Sequence, residues 1–316
     1  MRALVTGAAG FIGVHLCRRL VGEGYQVVGL DDLSESTLDR LGGVPQVRFV
    51  EATILDEEGV ADAIRGCDVV FHQAGKRSVS RSMLDPGPFI DVNVKGTLNV
   101  LMAAARERAA VVGASSSSVY GDQETYPVRE EMTCRPRSPY AVSKLMGETL
   151  GASVLRSHGV RSVWLRYFNV YGPGQDPAGE YAAVIPRFIT ACLTGEPPVI
   201  HGQGHQSRDF TYIDDVVEAN LRASHPSESA WGRPFNVGGG QPPTSVLRVL
   251  EIVGTALDVQ PAPLFGDPRP GDVRTSHADV AAAREAFGYR PRIRIEDGLS
   301  RTVAAFRLDE AHAQAL

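Results

Sequence analysis

Residues 2–24 read RALVTGAAGFIGVHLCRRLVGEG, a short apolar run, three spaced glycines and then a helical pattern. RALVTG predicts a buried strand ending at Gly7. Beyond the glycines Phe11, Ile12, Leu16 and Leu20 share one helical face, and Gly22 and Gly24 stop the helix. Between strand and helix lies Gly7-x-x-Gly10-x-x-Gly13. Glycines there let the backbone turn tightly and approach a pyrophosphate, which rests at the positive end of the following helix. The next apolar run, YQVVGLDD, carries Asp31 at its end and Asp32 beside it. A carboxylate in that place accepts ribose hydroxyls and repels a 2′-phosphate, so NAD is expected rather than NADP.

The same alternation continues outward. QVRFVEA, CDVVFHQAG and AAVVGASSSS read as further strands, with DEEGVADAIRG and VNVKGTLNVLMAAARER as helices between them. Strands alternating with helices predict an α/β fold, a doubly wound parallel Rossmann sheet with its ligand crevice at the carboxyl ends of the strands. After residue 170 the pattern changes to short segments rich in Gly and Pro, expected to form a smaller mixed α/β lobe. Some of the chain is expected to return to the sheet through SRDFTYIDDV and PFNVGGG. The expected division is 1–170 with 208–240 for the cofactor, and 171–207 with 241–316 for a substrate.

Composition narrows the classes. At 316 residues and 43% hydrophobic content the chain suits one large or two fused globular domains. A net charge of −5 argues against nucleic acid or an anionic membrane as the main partner. The four cysteines are far apart and lack zinc-site spacing, so no metal is expected. No apolar run approaches the ~18 residues of a membrane span, and MRALVTG leaves no room for a signal peptide, so a cytoplasmic protein is expected.

SSSSVYGD, Ser115 to Asp122, ends the fifth strand and therefore borders the crevice. Downstream, SPYAVSKLMGE places Tyr140 and Lys144 four apart on one helical face. A free Tyr, with pKa near ~10, is a poor base at neutral pH, and a nearby ammonium favours the phenolate. The bland reading of such a pair is a surface helix contact. Its place after a glycine turn and a serine-ended strand favours catalysis.

With TGAAGFIG, HQAG, ASSSSVYG, YAVSK, RYFNVYGPGQDP, YAAVIPRF, SRDFTYIDDV and PRPGDVRTSHAD, the chain resembles an extended short-chain dehydrogenase/reductase, and within that family a nucleotide-sugar 4-epimerase. The resemblance covers nearly the whole chain. It implies NAD-dependent inversion of C4 of a UDP-hexose through a 4-keto sugar, with Ser116, Tyr140 and Lys144 catalytic. It implies cofactor contacts from Phe11, Ile12, Asp32, Thr53, Ile54, Gln73, Ala74, Gly75, Arg77, Asn93 and Tyr167. Thr53 stands where relatives usually carry Asp, so altered adenine contacts are expected. For the UDP-sugar it implies Ser78, Ser116, Ser117, Ser118, Asn169, Val184, Arg187, His201, Arg208, Arg269, Asp272 and Ser276. His72 is expected to be a structural hydrogen-bonder.

Three other readings stay open. Dehydratases and decarboxylases of this family carry acids just after the catalytic Ser or Thr, where this chain has Ser117 and Ser118. A UDP-glucuronate 4-epimerase would need a cation such as Lys76, Arg81 or Arg187, yet relatives of that kind tend to have Thr and Arg at Asn169 and Asp176. A non-catalytic NAD-sensing scaffold would be expected to lose Tyr140 or Lys144. Small Ser276 leaves N-acetylated hexosamines possible as substrates. The family's usual pairing implies a homodimer through the helices at 88–108 and 138–159.

Overall fold

The computed structural model describes residues 1–177, 182–268 and 273–315, with only the helical backbone given for 309–315. In chain order the first half comprises β1 (Arg2–Thr6), α1 (Phe11–Gly22), β2 (Gln26–Asp31), β3 (Arg48–Glu51), α2 (Glu57–Ile64) and β4 (Val69–His72). It continues with α3 (Val79–Leu84), α4 (Gly87–Ile90), α5 (Thr97–Glu107), β5 (Ala110–Ser116), α6 (Pro139–His158), β6 (Ser162–Tyr167) and β7 (Val170–Tyr171). The second half comprises α7 (Val184–Thr194), β8 (Val199–His201), β9 (Ser207–Arg208), β10 (Thr211–Tyr212), α8 (Ile213–Ala223) and β11 (Pro234–Val237). Last come β12 (Thr244–Ser245), α9 (Val246–Leu257), β13 (Leu264–Gly266), α10 (Ala281–Phe287) and α11 (Ile295–Ala315).

Seven strands form one parallel sheet in the order β3-β2-β1-β4-β5-β6-β11. The chain leaves β3 at one edge and re-enters beyond β1, so the order reverses between β1 and β4, and that reversal opens a crevice at the strand ends. The runs of Val, Leu and Ile are buried on both faces, as parallel strands covered by helices require. One face packs under α2, α5 and α6 around Trp164 and Leu101. The other packs under α1 and α8, and its core runs on without a break into the smaller lobe through Val249, Leu250 and Phe306. β11 returns PFNVGGG to the sheet as the sequence pattern predicts, but SRDFTYIDDV does not join it: its β9 and β10 pair instead with β12 and β7 in separate two-stranded ladders.

Two close approaches position the crevice walls. Gly7 has φ +67°, and a Cβ on it would lie 2.7 Å from the Ala74 nitrogen, so the strand can turn there only as glycine. A Cβ on Gly151 would lie 2.0 Å from the Trp164 indole nitrogen, so small residues let α6 settle onto the sheet. No helix among the described residues is long and apolar enough to cross a membrane.

Candidate active site

The crevice is a cavity of about 1220 Å³ at the carboxyl ends of β1, β2, β4, β5 and β6. That exceeds the roughly 300–1,000 Å³ of most single small-ligand sites, leaving room for two ligands. Gly7, Gly10, Phe11, Ile12 and Gly13 form its floor. Gly10 precedes α1 in an extended conformation with no side-chain cap, so the first backbone N–H groups of this helix face the cavity without a side-chain acceptor. A Cβ on Gly13 would lie 2.0 Å from the Gly7 oxygen. This donor-lined cradle fits a pyrophosphate.

Asp31 sits at the β2 end. Its Oδ2 accepts from Ala9 N (3.0 Å), and its Oδ1 accepts from Leu33 N (2.9 Å) and Ser36 Oγ (3.2 Å). A carboxylate offers about four lone-pair sites. Three are filled by the protein, which leaves room for one added hydroxyl rather than two. Asp32 and Ile54 also line the cavity. Thr53 does not; its Oγ1 accepts from Leu55 N at 3.3 Å and stabilises its own turn.

Gln73, Ala74, Gly75, Arg77 and Ser78 continue the wall beyond β4. Behind them Asn93 is buried in a wide π-type helical turn, Asp91–Gly96, of the kind often found at functional sites. It accepts from Lys76 N (2.7 Å) and donates to Lys76 O (3.0 Å) and Ser143 Oγ (2.9 Å). His72 is a structural link: its ring nitrogens contact Thr6 Oγ1 (2.8 Å) and Thr97 Oγ1 (3.0 Å), and burial lowers its pKa to about 3. Since Thr97 donates to Asn93 O, it accepts from His72 Nε2–H, and the neutral ring is held by both neighbours.

Ser116 ends β5, and its Oγ accepts from Ser118 N (3.2 Å) and Ser118 Oγ (2.9 Å). Ser138 caps α6, placing Tyr140 in the first turn and Lys144 one turn on, and all three serines 116–118 line the cavity with them. Lys144 Nζ donates to Ala114 O at 3.1 Å, and burial brings its pKa down to about 8. The Tyr140 phenol is raised above its ordinary value by burial, against a hydrogen bond from Ser116 and the charge of Arg77. The Lys144 ammonium, one turn along α6, is directed to the backbone carbonyl of Ala114. Tyr167, buried at the β6 end, bonds Gln73 and Asn220 through its hydroxyl.

Asn169, Val184, Arg208 and Ser276 line the far end of the cavity. Asn169 has φ +31° and donates to Asp209 O (3.0 Å) and Ser276 Oγ (2.9 Å). Ser276 also accepts from Asp209 N at 3.2 Å, so its hydroxyl is committed to holding the wall. Arg187 and His201 are not among the lining residues; His201 contacts Asp267 O at 3.1 Å. Arg269 and Asp272 lie outside the described residues. Lys76 and Arg81 both meet Glu35, at 3.2 and 3.1 Å, which turns them toward the loop after β2.

Sequence reasoning missed Arg40, Arg137 and Gln175, all on the cavity wall. Arg40 and His15 hold the 172–175 loop through the carbonyls of Gly174 and Pro173. Gln175 stands inside the RYFNVYGPGQDP motif, buried with its Oε1 unpartnered among the described residues. Arg40 comes from a single 3-10 turn, Leu38–Leu41, and Arg137 from a loop, neither with a local signature.

The family model described as NAD dependent epimerase/dehydratase matches residues 3–238. A "UDP-glucose 4-epimerase" of Mycolicibacterium smegmatis is 40% identical over 314 residues, 97% of this chain and 99% of that protein. A UDP-N-acetylglucosamine 4-epimerase from Methanobrevibacter ruminantium, solved with UDP-N-acetylmuramic acid, superposes with TM-score 0.92 at 33% identity, covering 98% of each chain. A UDP-glucuronic acid 4-epimerase from Bacillus cereus, solved with UDP-glucuronic acid and NAD, gives TM-score 0.90 at 31% identity, over 98% of this chain and 99% of that one. From glycine turn to β11, this chain belongs to the NAD dependent epimerase/dehydratase family.

Proposed function

We propose that the protein is an isomerase that inverts C4 of a neutral UDP-hexose, UDP-glucose or UDP-galactose, with NAD as resident cofactor. The observation that carries this reading is the convergence of Ser116, Tyr140 and Lys144 on one cavity with the glycine cradle. In it Gly10 to Gly13 hold the cofactor diphosphate with Arg77, and Asp31 accepts one hydroxyl of the adenosine ribose. Lys144 holds the nicotinamide ribose and Asn93 keeps the Gly75–Lys76 wall in place. Bound NAD supplies a hydride acceptor that later returns the hydride. Tyr140 takes the proton of the sugar 4-hydroxyl and gives it back, while Ser116 holds that oxygen. The 4-keto sugar turns about its diphosphate link between the two transfers. Asn169 and Arg208 hold the UDP end from the border of the cofactor domain, 1–170 with 208–240, where it meets the second lobe, 171–207 with 241–316.

Ser117 and Ser118 beside Ser116 favour epimerisation over elimination or decarboxylation, since neither hydroxyl is a general base near neutral pH. The engagement of Lys76 and Arg81 by Glu35, and the position of Arg187 off the wall, favour a neutral sugar over a uronate. Incubation with UDP-glucose, UDP-N-acetylglucosamine and UDP-glucuronate, with product analysis, tests the reading. UDP-galactose from UDP-glucose is expected; dehydrated or decarboxylated products, or no C4 epimer at all, would reject it.

A homodimer belongs to the same proposal. Val79, Met83, Leu84, Ile90, Leu98, Val142 and Met146 are exposed apolar side chains on α3, α4, α5 and α6, a surface suited to helix pairing with a second copy. Light scattering at micromolar concentration should give twice the chain mass, and Met146→Glu should shift it to one.

A further inference from the structure

Tyr140, Lys144 and Glu148 recur at four-residue spacing along α6, yet Glu148 points to no ligand. It is buried, with its side chain 6% exposed, against Arg166 of β6, 4% exposed. The guanidinium grips it with both arms, Nε to Oε1 at 2.9 Å and Nη2 to Oε2 at 2.7 Å. Two further bonds reach the stretch that contains Ser116. Ser115 Oγ donates to Glu148 Oε1, and Arg166 Nη1 donates to the Tyr120 hydroxyl at 2.9 Å. Tyr120 in turn donates to Asn236 Oδ1 of β11 at 2.7 Å, and Arg166 lies over the Tyr120 ring at 4.8 Å.

Ser116 is therefore bracketed. The residue before it is tied to Glu148, and the turn after it, Ser117–Tyr120, is tied to Arg166. Register agrees, because Ser115 faces Arg166 and Ser116 faces Tyr167 across β5 and β6. Alternation along a strand sends Ser115 to the helix side and leaves Ser116 for the cavity. Burial works against the charge of Arg166, but the bonds and charge of Glu148 outweigh it and keep the guanidinium protonated. Buried ion pairs contribute little net stability against apolar replacements of similar volume, so a pair kept here needs another reason.

We propose that Glu148 and Arg166 are positioning residues: their fork fixes the end of β5 and the following turn against α6, and so sets the approach of Ser116 to the Tyr140 phenol. The proposal rests on the 4-epimerase reading for its kinetic consequence, but the geometry it asserts can be measured without turnover.

The test compares wild type, Glu148→Gln, Arg166→Lys and the double variant Glu148→Met/Arg166→Met. Glu148→Gln leaves the buried Arg166 charge uncompensated and can fail to fold. The double variant buries two apolar chains of similar volume and should keep the wild-type melting temperature within a few degrees. We expect its kcat to fall roughly ten- to a hundredfold, the loss typical when a reacting pair is misplaced. KM and NAD content should stay near wild type, and the deuterium isotope effect at C4 on kcat should grow. Arg166→Lys keeps the charge without the fork and should resemble the double variant.

A folded double variant with wild-type kcat would overturn the proposal. The second measurement is the pH at which the Tyr140 phenol ionises, read by ultraviolet difference against Tyr140→Phe in each background. The groups acting on that phenol are Ser116 and Arg77, with Lys144 one turn along α6. Loss of the Ser116 bond should move ionisation to higher pH. A wild type inactive on every UDP-hexose would sink the functional reading alone, while unchanged phenol ionisation in the double variant would sink this one.

Discussion

Asp31→Ala separates two tasks that one carboxylate performs. Its oxygens accept from Ala9 N, Leu33 N and Ser36 Oγ, and one lone-pair site stays open to the cofactor ribose. Hydrogen bonds to a charged acceptor contribute about 1.5–3 kcal/mol each, so losing one ribose contact should weaken NAD binding roughly 10- to 150-fold. Removing the side chain also orphans the buried Ala9 N–H beside the glycine turn, at a cost of about 1–3 kcal/mol in stability. At no more than about 2–4 °C per kcal/mol, the scale of somewhat smaller chains, melting should fall by up to roughly 2–12 °C. Cofactor-stripped wild type and variant would be titrated with NAD and NADP by calorimetry and melted without ligand. The variant should lose most of its preference for NAD, because the repelling charge is gone. A variant that binds NAD within about threefold of wild type and still rejects NADP would refute the assignment, and unchanged melting would refute the structural half.

Tyr140→Phe should abolish turnover and keep bound NAD, since only the phenol oxygen acts; a residual rate above a tenth of wild type would contradict it. Lys144 should make the cofactor-free protein more stable as pH rises from about 8 toward 10.5. In that window the unfolded chain holds a proton that the folded one has lost. Melting of wild type and Lys144→Met across that range should show the variant's advantage shrinking, and a constant difference would count against the shift. Glu35→Gln should release NAD about two- to fivefold faster at low salt, the scale of partly exposed ion pairs, with the difference fading at high salt; stopped-flow release with no change at low salt would show that the Lys76–Glu35–Arg81 contacts do not retain the cofactor. Ser276→Tyr should lower kcat/KM for UDP-glucose and UDP-N-acetylglucosamine alike, because it removes the acceptor that holds Asn169; a loss confined to the N-acetylated sugar would show that Ser276 borders the sugar instead.

The sheet was legible because buried parallel strands are written as apolar runs and glycines punctuate their ends. The same holds for the turn at Gly7–Gly13 and for Tyr140 with Lys144, whose meaning lies in local spacing. What could not be read were bonds between distant segments. Four consecutive serines look alike, and although the resemblance singles out Ser116, the bond from Ser115 to Glu148 shows only in the register against β6. Lys76 and Arg81 looked available to a substrate carboxylate until Glu35 occupied them. Thr53 looked like an adenine ligand, but its hydroxyl found a nearer donor in Leu55 N.

The wide turn at Asp91–Gly96 gives the chain one place where its length can change cheaply. Right-handed helical backbone runs through it from α4 into α5. Removing a residue inside α5 would rotate everything beyond by about 100° and pull the apolar stripe off the sheet. Removing one from 91–96 would instead let the turn close to ordinary α-helical pitch, with the helices on either side keeping their seats. The loss would fall on Asn93, and through it on the Lys76 backbone and Ser143. A library of single-residue deletions along 87–107 should therefore hold one cluster of folded, cofactor-poor proteins, at this turn and not beyond it.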